Sequence, residues 1–254
     1  MASDLQLVRS PSSMRERLIL ALDVEDTEKV KELVRLLAGN VGMFKVGKQL
    51  FTHAGPAVVE LIHDMGGEVF LDMKFHDIPT TVAKAAAEAT RLGVKMFNVH
   101  ASGSLEMMRR TVSEVRRVCR QEGLRRPIML AVTVLTSLSK NDLKRVGVGG
   151  EVADQVVRLA VLTREAGMDG VVASPHEVAR IRGACGRRFV IVSPGIRSQR
   201  GKRNDQRRVM TPEEAVRAGV DYIVVGRPII EARDPLSAAR EMILEMERVA
   251  LPLP

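Results

Sequence analysis

The stretch Phe70-Leu71-Asp72-Met73-Lys74-Phe75-His76-Asp77-Ile78-Pro79-Thr80-Thr81 decides how this chain is read. It begins as an apolar strand, yet Asp72 and Lys74 stand two positions apart within it. Successive side chains of a strand point to opposite faces, so these two are expected to project together. Leu71, Met73 and Phe75 then pack the other way. Asp77 follows a short step later, before Pro79, a residue suited to the first turn of a helix. Charges taken out of water are costly unless they are paired. Three charges of alternating sign at the end of one core strand are therefore either an ion-pair network holding that end or the chemical centre of a site.

Working outward, strands and helices alternate. Leu18–Leu22 reads as the first strand, with helical spacing over Thr27–Ala38 after it. Met43–Val46 is a second strand, following the helix-stop pair Gly39-Asn40, and Pro56–Met65 a second helix. The stretch quoted above is strand three, and its Ala-rich helix runs from Thr80 to Leu92. Strand four is Val94–His100, with a helix over Ser104–Gln121, and strand five is Ile128–Leu135. A polar connection over Ser137–Gly150, with a short helical piece, leads into a helix over Glu151–Ala166. Gly170–Ala173, Phe189–Ser193 and Tyr222–Val225 complete the strands. Thr211-Pro212 opens the helix before the last of them, with a capping residue and Pro at the first position, and the final helix spans Pro235 to about Val249. Eight such units point to an α/β protein, a (β/α)8 TIM barrel in a single domain over 18–254. A doubly wound sheet would want a glycine-rich turn after strand one, where the chain reads Asp23-Val24-Glu25-Asp26. Residues 1–17, with Ser10-Pro11-Ser12-Ser13 among them, read as a flexible leader.

Composition agrees. The 254 residues suit one barrel, typically about 250 residues long. Aromatics make up only 3%, so the core must be aliphatic, as suits parallel strands buried on both sides. A net charge of +8 favours anionic partners. Aromatic stacking platforms are missing, however, and the densest basic run, Arg197 to Arg208, lies in one loop. A small phosphorylated substrate accounts for that run as well as a nucleic acid does, and no nucleic-acid partner is expected. Cys119 and Cys185 form neither a metal spacing nor a disulfide framework, which points to a reducing cytoplasm. No run approaches a membrane span or resembles a signal peptide, so no membrane partner is expected either.

Active sites of such barrels lie at the C-terminal ends of the strands. Those ends carry Asp23, Lys45, Asp72 with Lys74, Asn98 with His100, Thr133 with Thr136 and Ser137, Arg197 and Arg227. Charge so concentrated at one mouth favours a functional centre over a solvated surface. Two subsites separate. Gly195 and Gly226 stand close before Arg197 and Arg227 on the last two strands, where barrels commonly hold phosphate. Glycine allows close approach of backbone N–H groups, and arginine offers a bidentate fork. The other subsite is Lys45, Asp72, Lys74 and Asp77, in which Lys74 beside carboxylates is expected to remain an ammonium and serve as an acid. His100 is read as structural, and His76, the cysteines and the pairs Met107/Met108 and Met242/Met246 receive no role.

The motif Asp72-x-Lys74-x-x-Asp77-Ile78-Pro79-x-Thr81 closely resembles that of the orotidine 5′-phosphate decarboxylase family. Ala21-Leu22-Asp23, Phe44-Lys45-Val46-Gly47, Val99-His100-Ala101, Leu135-Thr136-Ser137, Pro194-Gly195-Ile196-Arg197, Asp205-Gln206-Arg207-Arg208 and Val225-Gly226-Arg227-Pro228 resemble further blocks of that family, in its order. The resemblance implies cofactor-free, metal-free conversion of orotidine 5′-monophosphate to UMP in pyrimidine synthesis, with Lys74 protonating C6. It implies Asp72 against the departing carboxylate, Asp23 and Lys45 on the ribose, and Thr136 and Ser137 at the pyrimidine. Arg197, Gln206, Gly226 and Arg227 would take the phosphate and its loop. The same resemblance implies a homodimer in which Asp77, Ile78 and Thr81 reach the neighbouring site.

Three rivals are weaker. A relative resembling 3-keto-gulonate 6-phosphate decarboxylase would carry an acidic metal ligand at the end of strand two, where Lys45 stands. A Schiff-base aldolase wants a lysine on strand six, which reads Val171-Val172-Ala173-Ser174. A nucleic-acid-binding barrel rests on net charge alone.

Overall fold

The computed structural model describes residues 11–198 and 210–250. In chain order the elements are α1 (Met14–Arg17), β1 (Leu18–Ala21), α2 (Thr27–Leu37), β2 (Met43–Gly47), α3 (Lys48–Ala54), α4 (Ala57–Asp64), β3 (Val69–Phe75), α5 (Pro79–Arg91), β4 (Met96–His100), α6 (Leu105–Glu122) and β5 (Ile128–Val132). There follow α7 (Lys140–Arg145), α8 (Val152–Glu165), β6 (Gly170–Val172), α9 (Val178–Cys185), β7 (Val190–Pro194), α10 (Pro212–Ala218), β8 (Tyr222–Val225), α11 (Arg227–Ile230) and α12 (Pro235–Glu247). The eight strands run parallel in sequence order and close, β8 pairing back on β1, into a (β/α)8 barrel. No helix among the described residues is long and apolar enough to cross a membrane.

Strand alternation sorts the apolar residues into two clusters. Ile19, Ala21, Met43, Phe70, Met96, Ile128, Leu130, Val190, Val192, Tyr222 and Val224 fill the barrel itself. Their neighbours Leu18, Leu20, Phe44, Leu71, Phe97, Met129, Ile191 and Ile223 face the helices. A barrel interior is a packed core in layers, so an inward residue near the top of a strand either fills that core or lines the mouth. Continuing the same alternation upward places Lys45 after Met43, Asp72 after Phe70, and Asn98 and His100 after Met96. The polar residues thus begin where the apolar layers stop.

Two local features depart from expectation. The leader does not extend to residue 17: α1 is a short helix whose N-cap Ser13 accepts from Glu16 N–H. Its Arg17 donates to the backbone carbonyls of Val220 and Asp221, tying the segment to the start of β8. A Cβ at residue 42 would lie 2.1 Å from the Glu16 carbonyl oxygen, so only glycine lets α1 seat there. Helices α3 and α11, each starting directly at the end of its strand, were also unexpected.

The larger departure is in β3. Its pairing with β4 runs Phe70↔Met96 and Leu71↔Phe97, then resumes at Phe75↔Val99. Four residues advance on β3 while two advance on β4. Lys74 takes up the slack with a φ of +52°, a left-handed conformation that costs a non-glycine residue about 1–2 kcal/mol. Strict alternation therefore does not carry through the charged segment, although Met73 and Phe75 do pack against the outer cluster.

Candidate active site

Asp72 is the hub of the mouth. It is 8% exposed, and its Oδ1 accepts from the Lys74 ammonium at 2.6 Å and from Asn98 Nδ2 at 2.6 Å. Its Oδ2 lies 3.4 Å from Lys45 Nζ, which also bonds Asp23 Oδ1 at 3.1 Å. A buried carboxylate between two ammoniums is stable because each charge removed from water meets an opposite one. The run Asp23, Lys45, Asp72, Lys74 is a chain of alternating sign spanning β1 to β3.

Lys74 reaches Asp72 by the register shift rather than by simple alternation. Its own backbone N–H donates to Asn98 Oδ1 at 2.8 Å. Asn98 is fully buried and was noted in the sequence only as a polar strand end. The available signal was its inward register on β4, where an apolar residue would otherwise sit.

Below the charges lies a cavity of about 230 Å³, bounded by Lys45, Asp72 and Lys74 on one side. Thr136 and Leu135 line it from the loop after β5, and Val172, Ala173 and Pro194 close the far wall. Its lining is mostly apolar, with the charges gathered along one side, which suits the faces of a flat ring more than a sugar. Ser137, exposed, lies beyond the lining. At the end of β8, Gly226 abuts the ribose-side carboxylate expected from sequence: a Cβ there would lie 3.4 Å from Asp23 Oδ2. Arg227 follows, exposed, at the first position of α11. On β7's end Gly195 has a φ of +79°, and Arg197 N–H donates to the Met210 carbonyl at 3.2 Å. That bond ties together the two ends of the connection between Ser198 and Met210. Gln206 lies outside the described residues.

Asp77 stands apart. Its Oδ1 accepts from the adjacent Ile78 N–H at 2.6 Å, and among the described residues no ion pair joins it to Lys45 or Lys74. Ile78 is 65% exposed, and both line an open concavity of about 610 Å³ with His76, Pro79, Ser102 and Gly103. Thr81 is exposed on the first turn of α5. The motif thus splits into an inward half and an outward half.

His100 faces this boundary with its ring 5.3 Å from that of His76. Burial first, then the proximity of His76 and of the Lys48 and Lys74 ammoniums, pushes its imidazole down to about 4, the Asp72 carboxylate opposing. It is therefore neutral at ordinary pH. Lys48, on the first turn of α3, is a cation at this mouth that the sequence did not single out. Cys119 and Cys185 are free, and burial raises both thiols, so neither is a thiolate at neutral pH.

A closed parallel barrel with a lysine–aspartate chain and two arginines at the C-terminal mouth is an enzyme architecture with an anion-accepting site. Comparison with known proteins places it more narrowly. The sequence model of the orotidine 5′-phosphate decarboxylase / HUMPS family matches residues 16–242. The chain is 57% identical over 231 residues to the orotidine 5′-phosphate decarboxylase of Geobacter sulfurreducens, covering 91% of this chain and 95% of that one. It is 56% identical over 232 residues to that of Syntrophotalea carbinolica, with the same coverage. The crystal structure of orotidine 5′-phosphate decarboxylase from Lactobacillus acidophilus superposes with a TM-score of 0.80 at 35% identity, over 90% of this chain and 98% of that one. The corresponding structure from Pyrococcus horikoshii gives 0.71 at 26%, over 91% and 99%. The chain belongs to the orotidine 5′-phosphate decarboxylase / HUMPS family.

Proposed function

We propose that this chain decarboxylates orotidine 5′-monophosphate to UMP and CO₂ in the cytoplasm, as a step of pyrimidine nucleotide synthesis, with neither cofactor nor metal. The observation that carries the reading is the Lys74 ammonium held 2.6 Å from Asp72 above a ring-sized cavity. Loss of CO₂ leaves an electron pair at C6, in an orbital that the ring π-system cannot delocalise. Stabilisation must then come from a fixed charge placed where the carbanion forms. Lys74 supplies it and then gives its proton to C6, so the C6–CO₂ bond is replaced by C6–H and solvent reprotonates the amine. Asp72 holds the ammonium and faces the departing carboxylate.

The cavity is smaller than the roughly 300–1,000 Å³ of sites that enclose a whole drug-sized ligand. It suits the pyrimidine, with Thr136 in the lining and Ser137 next to it at the rim, and the ribose above on Asp23 and Lys45. The phosphate would lie outermost, on Arg197, Gly226, Arg227 and the loop carrying Gln206. Binding energy gathered there, far from C6, is available to close the site and raise turnover. What supports a metal-free reaction is the donor chemistry, since two ammoniums flank the one buried carboxylate of the site. The test is the loss of orotidylate absorbance in a chelator-containing buffer. Turnover without added metal is expected, and activity abolished by EDTA would overturn the metal-free reading.

The outward half of the motif supports a homodimer in which Asp77, Ile78 and Thr81 complete the neighbouring site. An isoleucine 65% exposed beside an open concavity is the kind of surface a second copy covers. Mixing inactive Lys74→Ala with inactive Asp77→Ala protein, after dissociation and reassociation, is expected to restore roughly a quarter of the wild-type sites, because a mixed two-fold dimer holds one site with both residues intact. A mixture that stays as inactive as its parents would place Asp77 in its own subunit's site.

A further inference from the structure

We propose that Asn98 is a positioning residue for this reaction, which sets both ends of Lys74; this rests on the decarboxylase reading above. Asn98 pairs with Leu130 on the β5 side, but on the β3 side the register passes from Phe97 to Val99 and gives Asn98 no paired residue. The side-chain amide fills that gap. Its Oδ1 accepts from Lys74 N–H at 2.8 Å, and its Nδ2 donates to Asp72 Oδ1 at 2.6 Å. That carboxylate oxygen is the one that holds the Lys74 ammonium. A single buried amide therefore anchors the left-handed main chain of Lys74 and, through Asp72, orients its Nζ.

Asn98 has no part in the cavity lining, so substrate affinity does not depend on it directly. Loss of the amide frees Lys74 to relax from φ +52° and moves its ammonium off the C6 position. A displacement of about 1 Å in a reacting group can cost on the order of 100-fold in rate. The expected signature is a loss in kcat with KM and UMP affinity nearly unchanged.

Asn98→Asp separates this role from mere packing. Its carboxylate keeps the acceptor for Lys74 N–H but sets an oxygen 2.6 Å from Asp72 Oδ1, where the amide donated. Two carboxylates so placed retain a shared proton to higher pH, and the protonated form restores the missing donor. The other charged or titratable groups around this cluster are Lys45 and Lys74, both paired with Asp72, and His100 two positions further along β4, with His76, Lys48 and Lys74 acting on it. The wild type shares all of them, so the variant is compared with wild type at each pH.

The experiment measures kcat, KM and UMP binding for wild type, Asn98→Asp and Asn98→Ala across roughly pH 5 to 8. Both variants are expected to lose about 100-fold in kcat at the alkaline end, and Asn98→Asp alone to regain at least about tenfold relative to wild type at the acid end. Wild-type kcat in Asn98→Ala would overturn the proposal. So would a loss in both variants with the wild-type pH profile, the result that a structural role predicts. If Asn98→Asp does not fold, the kcat-against-KM split in Asn98→Ala decides alone. A wild-type protein inactive on orotidine 5′-monophosphate overturns the decarboxylase reading itself, and this inference with it.

Discussion

Lys74→Ala loses turnover by about 10⁴-fold or more while still binding UMP. Under the proposed reading, one side chain performs two tasks, fixed positive charge at the developing carbanion and proton delivery to C6. Removing a single preorganised electrostatic donor costs about 10²–10³-fold, and removing a positioned general acid about 10²–10⁴-fold. The fold should tolerate the change. Asp72 would keep Asn98 at 2.6 Å and Lys45 at 3.4 Å, and the Lys74 side chain is already a quarter exposed. Thermal melting within a few degrees of wild type, together with retained UMP binding, would show that chemistry and not folding was lost. A variant keeping roughly a tenth of wild-type turnover would be incompatible with Lys74 as the acid, because neither task alone is worth so little.

Asp72→Asn should fail in both respects. The substitution removes the one carboxylate that, among the described residues, is shared by two ammoniums, and leaves them facing each other across a neutral amide. Breaking a buried pair by deleting one partner costs about 3–5 kcal/mol. The lower end applies, since Asp23 still bonds Lys45 at 3.1 Å and the Lys74 side chain reaches solvent. About 3 kcal/mol corresponds to a melting temperature lower by roughly 6–12 °C in a chain of this size. Turnover should fall by at least about 100-fold, because Lys74 loses the group that aims it. Calorimetric melts of the two variants side by side give the discriminating contrast. If Asp72→Asn melts with wild type, the alternating cluster contributes nothing to stability.

Much of this site was legible as spacing. Lys45 and Asp72 occupy inward positions of strands whose alternation is intact up to those residues, and both arrive where alternation sends them. Asp72 and Lys74 do meet, as their two-residue separation suggested, but for a different reason. The ladder to β4 slips between Leu71 and Phe75, and Lys74 turns left-handed. Lysine has no intrinsic preference for that conformation, so nothing local signals it. Asn98 was legible as a polar inward residue and illegible as a partner, since its two bonds exist only once β3 and β4 lie side by side. The ordering of α1 was missed likewise: Ser13 is a readable cap, but the seat on Gly42 and the carbonyls of Val220 and Asp221 are distant in sequence.

The eight-fold alternation, the aliphatic core and the gathering of charge at the strand ends could all be read from the residues, because each follows from periodicity and composition within short windows. Tertiary structure alone decided how the charges couple. Which oxygen of Asp72 faces which amine depends on the shear of neighbouring strands and on a register slip between two of them. It also divided the central motif, with Asp72 and Lys74 turned into the barrel and Asp77 and Ile78 turned out of it. That division arises because β3 ends at Phe75, after which side-chain direction is no longer governed by strand alternation.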